Sequence, residues 1–119
     1  MPPGRHFLEF LRVPALSAGL LRLAVGAVDG QTPHREDELY YVVRGRGTFR
    51  HGEVDRPVGP GDLLFVAAGE PHRFHSVQEE LVVLAVFGPA MSPDGAGPDP
   101  PGRPARAKGR YGPPAYGEQ

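Results

Sequence analysis

The sequence predicts an all-β domain, a small sandwich or barrel, on three observations. Between residues 6 and 87, short apolar segments are separated by Gly, Pro and charged turns at close spacing, the pattern of antiparallel strands rather than helices. No segment carries a sustained 3.6-residue apolar stripe; the nearest, Leu16 to Leu23, has Pro14, Gly19 and Gly26 in or beside it, which argue against a long helix. Composition then changes at Gly88, after which 15 of the last 32 residues are Gly or Pro. Such a segment cannot bury enough apolar surface to offset its ordering entropy. The expected organisation is a β-barrel domain over 1–87 and a Gly/Pro-rich, disordered or loosely packed tail over 88–119.

Eight strands are expected in order: Phe7 to Val13, Gly19 to Val28, Glu38 to Arg44, Gly47 to His51, Glu53 to Val58, Asp62 to Ala67, His72 to Val77 and Leu81 to Phe87. His51-Gly52 marks a tight hairpin, with Gly supplying the positive φ that such a turn requires. Gly59-Pro60-Gly61-Asp62 marks a second turn. In the tail, Arg103, Arg106, Lys108 and Arg110 form a short basic cluster, read as a solvating feature.

Composition excludes several function classes. The 119 residues allow one core. Thirteen Lys and Arg against 14 Asp and Glu leave no strong field to recruit nucleic acid or an anionic membrane, and no helix-turn-helix pattern flanks the strands. Cysteine is absent, which removes disulfides, thiolate metal sites and a cysteine nucleophile together. The N-terminus does not read as a signal peptide, because Glu9 and Arg12 interrupt its apolar stretch. The longest apolar run, Leu81 to Phe87, is far below the ~20 residues a spanning helix needs. A soluble, cytoplasmic protein is expected.

Two segments concentrate the chemistry. In the first, Thr32-Pro33-His34-Arg35-Glu36-Asp37-Glu38 leads into Leu39-Tyr40-Tyr41-Val42-Val43-Arg44-Gly45. If Glu38 opens a strand, it shares a face with Tyr40 and Val42, because strand side chains alternate. A carboxylate facing an apolar interior is costly unless it is paired or binds a cation; Arg44, Arg73 and a metal are the alternatives. In the second segment, Gly61-Asp62-Leu63-Leu64-Phe65-Val66-Ala67-Ala68-Gly69-Glu70-Pro71-His72 places His72 at a strand start, right after a turn. Phe74 shares the parity of His72. His75 falls on the opposite face, and His6 and His51 are assigned no role.

Together the two segments resemble the paired sequence motifs of the cupin superfamily, G-x5-H-x-H-x3,4-E-x6-G and G-x5-P-x-G-x2-H-x3-N. Gly26, His34, Glu38 and Gly45 match the first motif, with Thr32 where the first His is usual. Gly61, Gly69 and His72 match the second, with Ala67 in place of Pro and Ser76 in place of Asn. The resemblance covers the chain to about residue 87. It implies a double-stranded β-helix, or jelly-roll barrel, holding one divalent metal (Zn, Fe, Mn, Ni or Cu) on His34, Glu38 and His72. Two His and one carboxylate are also the donor types of the open non-haem iron triad, and Glu36 or Gln31 is the candidate to fill the place of the missing His.

Two functions from different classes follow. One is a metal-dependent small-molecule enzyme, an oxygenase or an isomerase, with the metal as Lewis acid or redox centre. The other is a non-catalytic module that has lost its metal and binds a small ligand or dimerises. The resemblance also implies a homodimer, with Phe7 to Val13 as the strand expected to extend or exchange across the interface and unpaired strand edges favouring it.

Overall fold

Two long strands dominate the molecule, and both are longer than their sequence segments suggest. In the computed structural model, which describes residues 3–29 and 34–92, Glu38 to Arg44 and Gly47 to His51 form one continuous strand. The elements are β1 (Arg5–Val13), β2 (Leu16–Leu23), β3 (Asp37–His51), β4 (Val54–Val58), β5 (Leu63–Val66) and β6 (His72–Gly88). Six strands therefore replace the eight expected. The break expected between Arg44 and Gly47 is a bulged bend instead: the β3–β6 register shifts between Val42 and Thr48 while pairing continues on both sides. Bulges of this kind let a strand turn a corner without leaving its sheet.

Gly45 makes that bend possible. Its φ is +97°, and a Cβ there would lie 2.1 Å from the Glu80 carbonyl oxygen, so no side chain fits between the strands. Ser76, in β6, takes a φ of +52°, a left-handed conformation that Asn adopts more readily than Ser.

All pairings are antiparallel, in the order β1-β2-β6-β3-β4, with β5 on the first half of β3. There is no helix among the described residues, and hence none long and apolar enough to cross a membrane. β2 starts earlier than expected, at Leu16, and ends at Leu23, where Ala24 to Ala27 turns (Ala27 N–H to Ala24 C=O, 2.9 Å). Gly52 carries the hairpin between β3 and β4 with a φ of +63°, and His51 faces Val54. At the second turn Asp62 accepts the Gly59 N–H at 2.8 Å.

Alternation sorts the side chains. Leu21 and Leu23 of β2, Tyr40, Val42 and Phe49 of β3, Leu64 and Val66 of β5, and Phe74, Leu81, Val83, Ala85 and Phe87 of β6 are buried in one core. Within it Phe49 and Phe74 pack at 4.8 Å between ring centroids and Tyr40 and Phe74 at 5.3 Å. The opposite parity is also apolar. Leu8 pairs with Leu20, Leu20 with Leu84, Leu84 with Tyr41 and Tyr41 with Leu63, an apolar ribbon across five strands whose ends, Leu8 and Leu63, are 66% and 62% exposed.

Buried polar groups fasten the connections. Asp29, fully buried, accepts from Arg5 Nε and the Phe74 N–H, both at 3.2 Å, tying the β2–β3 connection to β1 and β6. After Gly88, Met91 packs on the core and its N–H donates to Ser17 Oγ at 2.8 Å. Ser92 donates from its N–H and its hydroxyl to Glu36 Oε2 at 3.2 and 2.7 Å. Residues 93–119, including the basic cluster, lie outside the described residues.

Candidate metal centre

Three groups from distant parts of the chain converge inside the sheet. Glu38 is an early residue of β3 and points inward with Tyr40 and Val42, as alternation requires. His72 is the first residue of β6 and points inward with Phe74. His34 precedes β3, and two hydrogen bonds bring its segment to the turn before β6: Gly69 N–H to the His34 carbonyl at 2.7 Å, and Ala68 N–H to Asp37 Oδ1 at 2.9 Å. One donor atom from each of His34, Glu38 and His72 lies within 4.8 Å of the others. Glu38 Oε2 is 3.2 Å from His72 Nε2 and 3.9 Å from His34 Nε2. The side chains of Glu38 and His72 are sealed, whereas that of His34 is 11% exposed, so the open side of the cluster is at His34.

Hydrogen bonding fixes the state of these groups. His72 Nδ1 lies 2.9 Å from the Glu70 carbonyl oxygen. A carbonyl only accepts, so Nδ1 carries the proton, and in the neutral ring Nε2 presents a lone pair inward. The Glu70 carboxylate meanwhile accepts the Ala67 N–H at 2.8 Å and meets His51 Nε2 at 2.9 Å, bracing the turn that holds this carbonyl. The Tyr40 hydroxyl donates to Glu38 Oε1 and lies 3.0 Å from His72 Nε2. Glu38 Oε2 accepts no hydrogen bond among the described residues.

The residues therefore fit a cation. A buried carboxylate oxygen and an imidazole lone pair face each other at 3.2 Å, which is unfavourable unless a proton or a metal lies between them. The pKa of His72 reflects the same demand. Burial is the largest single influence and works against the charged ring, but the attraction of Glu38, the Glu70 carbonyl and Asp29 outweigh it and hold the pKa above the ordinary 6.5.

Neither arginine considered as a partner of Glu38 serves it. Arg44 is exposed and lies 3.7 Å from Glu80, and Arg73 is exposed. Glu36 is buried but turned to Ser92 rather than to the cluster. Thr32 and Gln31 lie outside the described residues. His75 faces outward and meets Asp55 at 3.0 Å, and the His75 hydrogen bond holds the Asp55 carboxyl below its ordinary value. Tyr40 and Phe74 line the interior, as their parity suggested. Sequence reading gave no hint of the Glu70 carbonyl, because a main-chain acceptor leaves no mark on residue type.

A jelly-roll sheet with two His and a Glu converging inside it defines a class, and the chain belongs to it: the family model for the cupin domain matches residues 19–87. The chain is 43% identical over 86 residues, 72% of its own length and 82% of the other's, to an uncharacterized protein of Streptomyces coelicolor. It is 33% identical over 69 residues to an oxalate-binding protein of Thermotoga maritima, covering 56% of this chain and 57% of that one. Among solved structures, KdgF from Halomonas sp. superposes with a TM-score of 0.68 at 25% identity, over 73% of this chain and 80% of that one. Salicylate 1,2-dioxygenase from Pseudoaminobacter salicylatoxidans gives 0.68 at 16% identity, over 72% of this chain and 25% of that one, a likeness of fold alone.

Proposed function

We propose that this protein holds one divalent transition-metal ion on His34, Glu38 and His72 and uses it to bind a small oxygen-donor molecule inside the barrel. One observation carries the reading: Glu38 Oε2 is buried, accepts no hydrogen bond among the described residues and faces imidazole nitrogens of both histidines. Three protein donors leave coordination positions for a ligand. When bound, the metal supplies Lewis-acid polarisation or, if it is iron, access to oxygen chemistry, the chemistry of an isomerase or an oxygenase. The protein's own groups do the rest. Phe87 packs edge-on against His34 at 5.6 Å, Tyr40, Phe49 and Phe74 are buried on one side of the cluster, and the His34 side, where the cluster reaches solvent, admits the ligand.

A second reading is that the site holds its ligand without turning it over. The relative from Thermotoga maritima favours it, since its name is oxalate-binding protein.

Elemental analysis of the purified protein beside His34→Ala, Glu38→Ala and His72→Ala tests the metal. Near-stoichiometric metal in the parent and little in each variant is expected. No metal after loading with Fe, Mn, Ni, Cu or Zn salts would overturn the proposal. Calorimetric titration of the loaded protein with oxalate, followed by product analysis, separates binding from turnover.

We also infer that the protein is a homodimer, with the apolar ribbon from Leu8 to Leu63 covered by a second copy. The run Leu81 to Phe87 is apolar on both parities, the signature of a strand covered on both faces, and the edge of β1 is unpaired among the described residues. Sedimentation should give a dimer that Leu8→Lys with Leu63→Lys dissociates; a monomeric parent at all concentrations would sink the inference.

A further inference from the structure

Tyr40 is the group nearest the cluster that the three-residue set leaves out. It follows Glu38 by two positions on β3 and is buried, 1% exposed, with its ring against Phe49, Phe74 and His72. Its oxygen touches two of the three proposed ligand residues at once: it donates to Glu38 Oε1 and stands 3.0 Å from His72 Nε2.

Two features make this more than core filling. The first is direction. The single phenolic proton is committed to Glu38 Oε1, so what the oxygen turns toward His72 Nε2 is a lone pair. With the Nδ1 proton donated to the Glu70 carbonyl, the inward groups of Tyr40, Glu38 and neutral His72 are all electron-pair donors. The second is spacing. Metal bonds of roughly 2.0–2.1 Å at octahedral or tetrahedral angles put adjacent donors about 2.9–3.4 Å apart. Tyr40 Oη to His72 Nε2 at 3.0 Å and Glu38 Oε2 to His72 Nε2 at 3.2 Å both fall in that window, closer to it than the 3.9 Å between Glu38 Oε2 and His34 Nε2.

We propose that Tyr40 is a fourth donor of the metal site, and that the site takes iron in the trivalent as well as the divalent state, the trivalent ion binding the phenolate oxygen. This rests on the metal reading above and adds to it a residue outside the His and Glu set. On ligation the phenolic proton leaves by way of Glu38 Oε1, already its hydrogen-bond acceptor, and passes on to solvent, so that Glu38 remains a carboxylate donor. The oxygen's electron pair then goes to the ion. Tyrosinate is an established oxygen donor to iron in proteins, and a hard anionic oxygen suits the ferric over the ferrous state.

Iron loading followed by visible absorption and resonance Raman spectroscopy tests the proposal, with iron content measured separately on the same sample. The full-length protein loaded with ferric iron should show a visible phenolate-to-iron charge-transfer band with tyrosinate ring modes. Tyr40→Phe should lose the band and bind iron roughly 10- to 100-fold more weakly, the usual cost of removing a neighbouring polar partner being the lower bound for a ligand. The chain has four tyrosines, so a variant with Tyr41, Tyr111 and Tyr116 all changed to Phe should keep the band, which assigns it to Tyr40 even if Tyr40→Phe does not fold. Stoichiometric iron without the band, or a band that survives in folded Tyr40→Phe, overturns the proposal while leaving the metal site standing. No bound iron, zinc or other metal in the parent overturns both.

Discussion

Replacing Glu38 by glutamine should make the metal-free protein more stable and the metal-loaded protein less stable than the parent. The substitution is isosteric. The amide oxygen keeps the Tyr40 hydroxyl as donor, and the amide N–H faces the His72 Nε2 lone pair across the 3.2 Å where two acceptors now meet. What disappears is a buried oxygen that accepts no hydrogen bond among the described residues, a defect worth about 1–3 kcal/mol. Allowing for imperfect amide geometry, the gain should be about 1–2 kcal/mol, in line with neutral replacements of other buried ionic groups. In a domain of this size that is roughly 4–15 °C in Tm. Metal reverses the order, since a ligand at one hundred times its Kd adds about 2.7 kcal/mol to the parent and little to a variant lacking the anionic donor. Thermal unfolding with chelator and then with saturating Zn or Mn, at a pH above the raised pKa of His72 so that its ring is neutral, reads both arms. A variant less stable than the parent in chelator, or shifted by metal as much as the parent, would refute the reasoning.

Gly45→Ala should cost at least about 2 kcal/mol in urea unfolding: its φ of +97° penalises any side chain, and the new Cβ would press on the Glu80 carbonyl. Ser76→Asn should gain about 0.5–1 kcal/mol by relieving the left-handed conformation at +52°, whereas Ser76→Val should lose more than that. The pH dependence has opposite signs in the two states. Without metal, the stability contributed by protonated His72 is complete below the unfolded value of 6.5 and is lost as pH rises through its raised folded pKa. With metal, the same proton competes for Nε2, so metal content measured across a pH series should fall as pH drops below that raised value.

Local rules carried much of this architecture. The turns at Gly52, Gly61 and Gly69 are written in residue type, and alternation from Glu38 onward was enough to turn Glu38, Tyr40 and Val42 inward together. Strand continuity was not legible. Gly45 and the polar run Gln78-Glu79-Glu80 read as chain breaks, yet they lie within long strands because a bulge absorbs the corner while pairing continues. Long-range partners were equally hidden: the buried Asp29 finds its donors on Arg5 and Phe74, 24 and 45 residues away, and Glu36 meets Ser92 at a separation of 56. In each case the acceptor's own neighbours in sequence say nothing about who supplies the proton. The tail boundary shows the same limit, because Met91 and Ser92 lie within a segment of poor composition and still engage Ser17 and Glu36.

The Glu70 carbonyl sets the tautomer of His72 from the main chain, and this bears on how the protein can drift. An orienting partner supplied by a side chain can be lost through one codon change, whereas every amino acid that position can hold brings the same carbonyl. Substitutions at residue 70 would then alter the bracing of the turn by Ala67 and His51 but still present an oxygen to Nδ1 for as long as the turn keeps its path. The imidazole's electronic state is thus inherited with the backbone rather than with the sequence, so lineages of this barrel can vary widely around the site before His72 stops offering its lone pair inward.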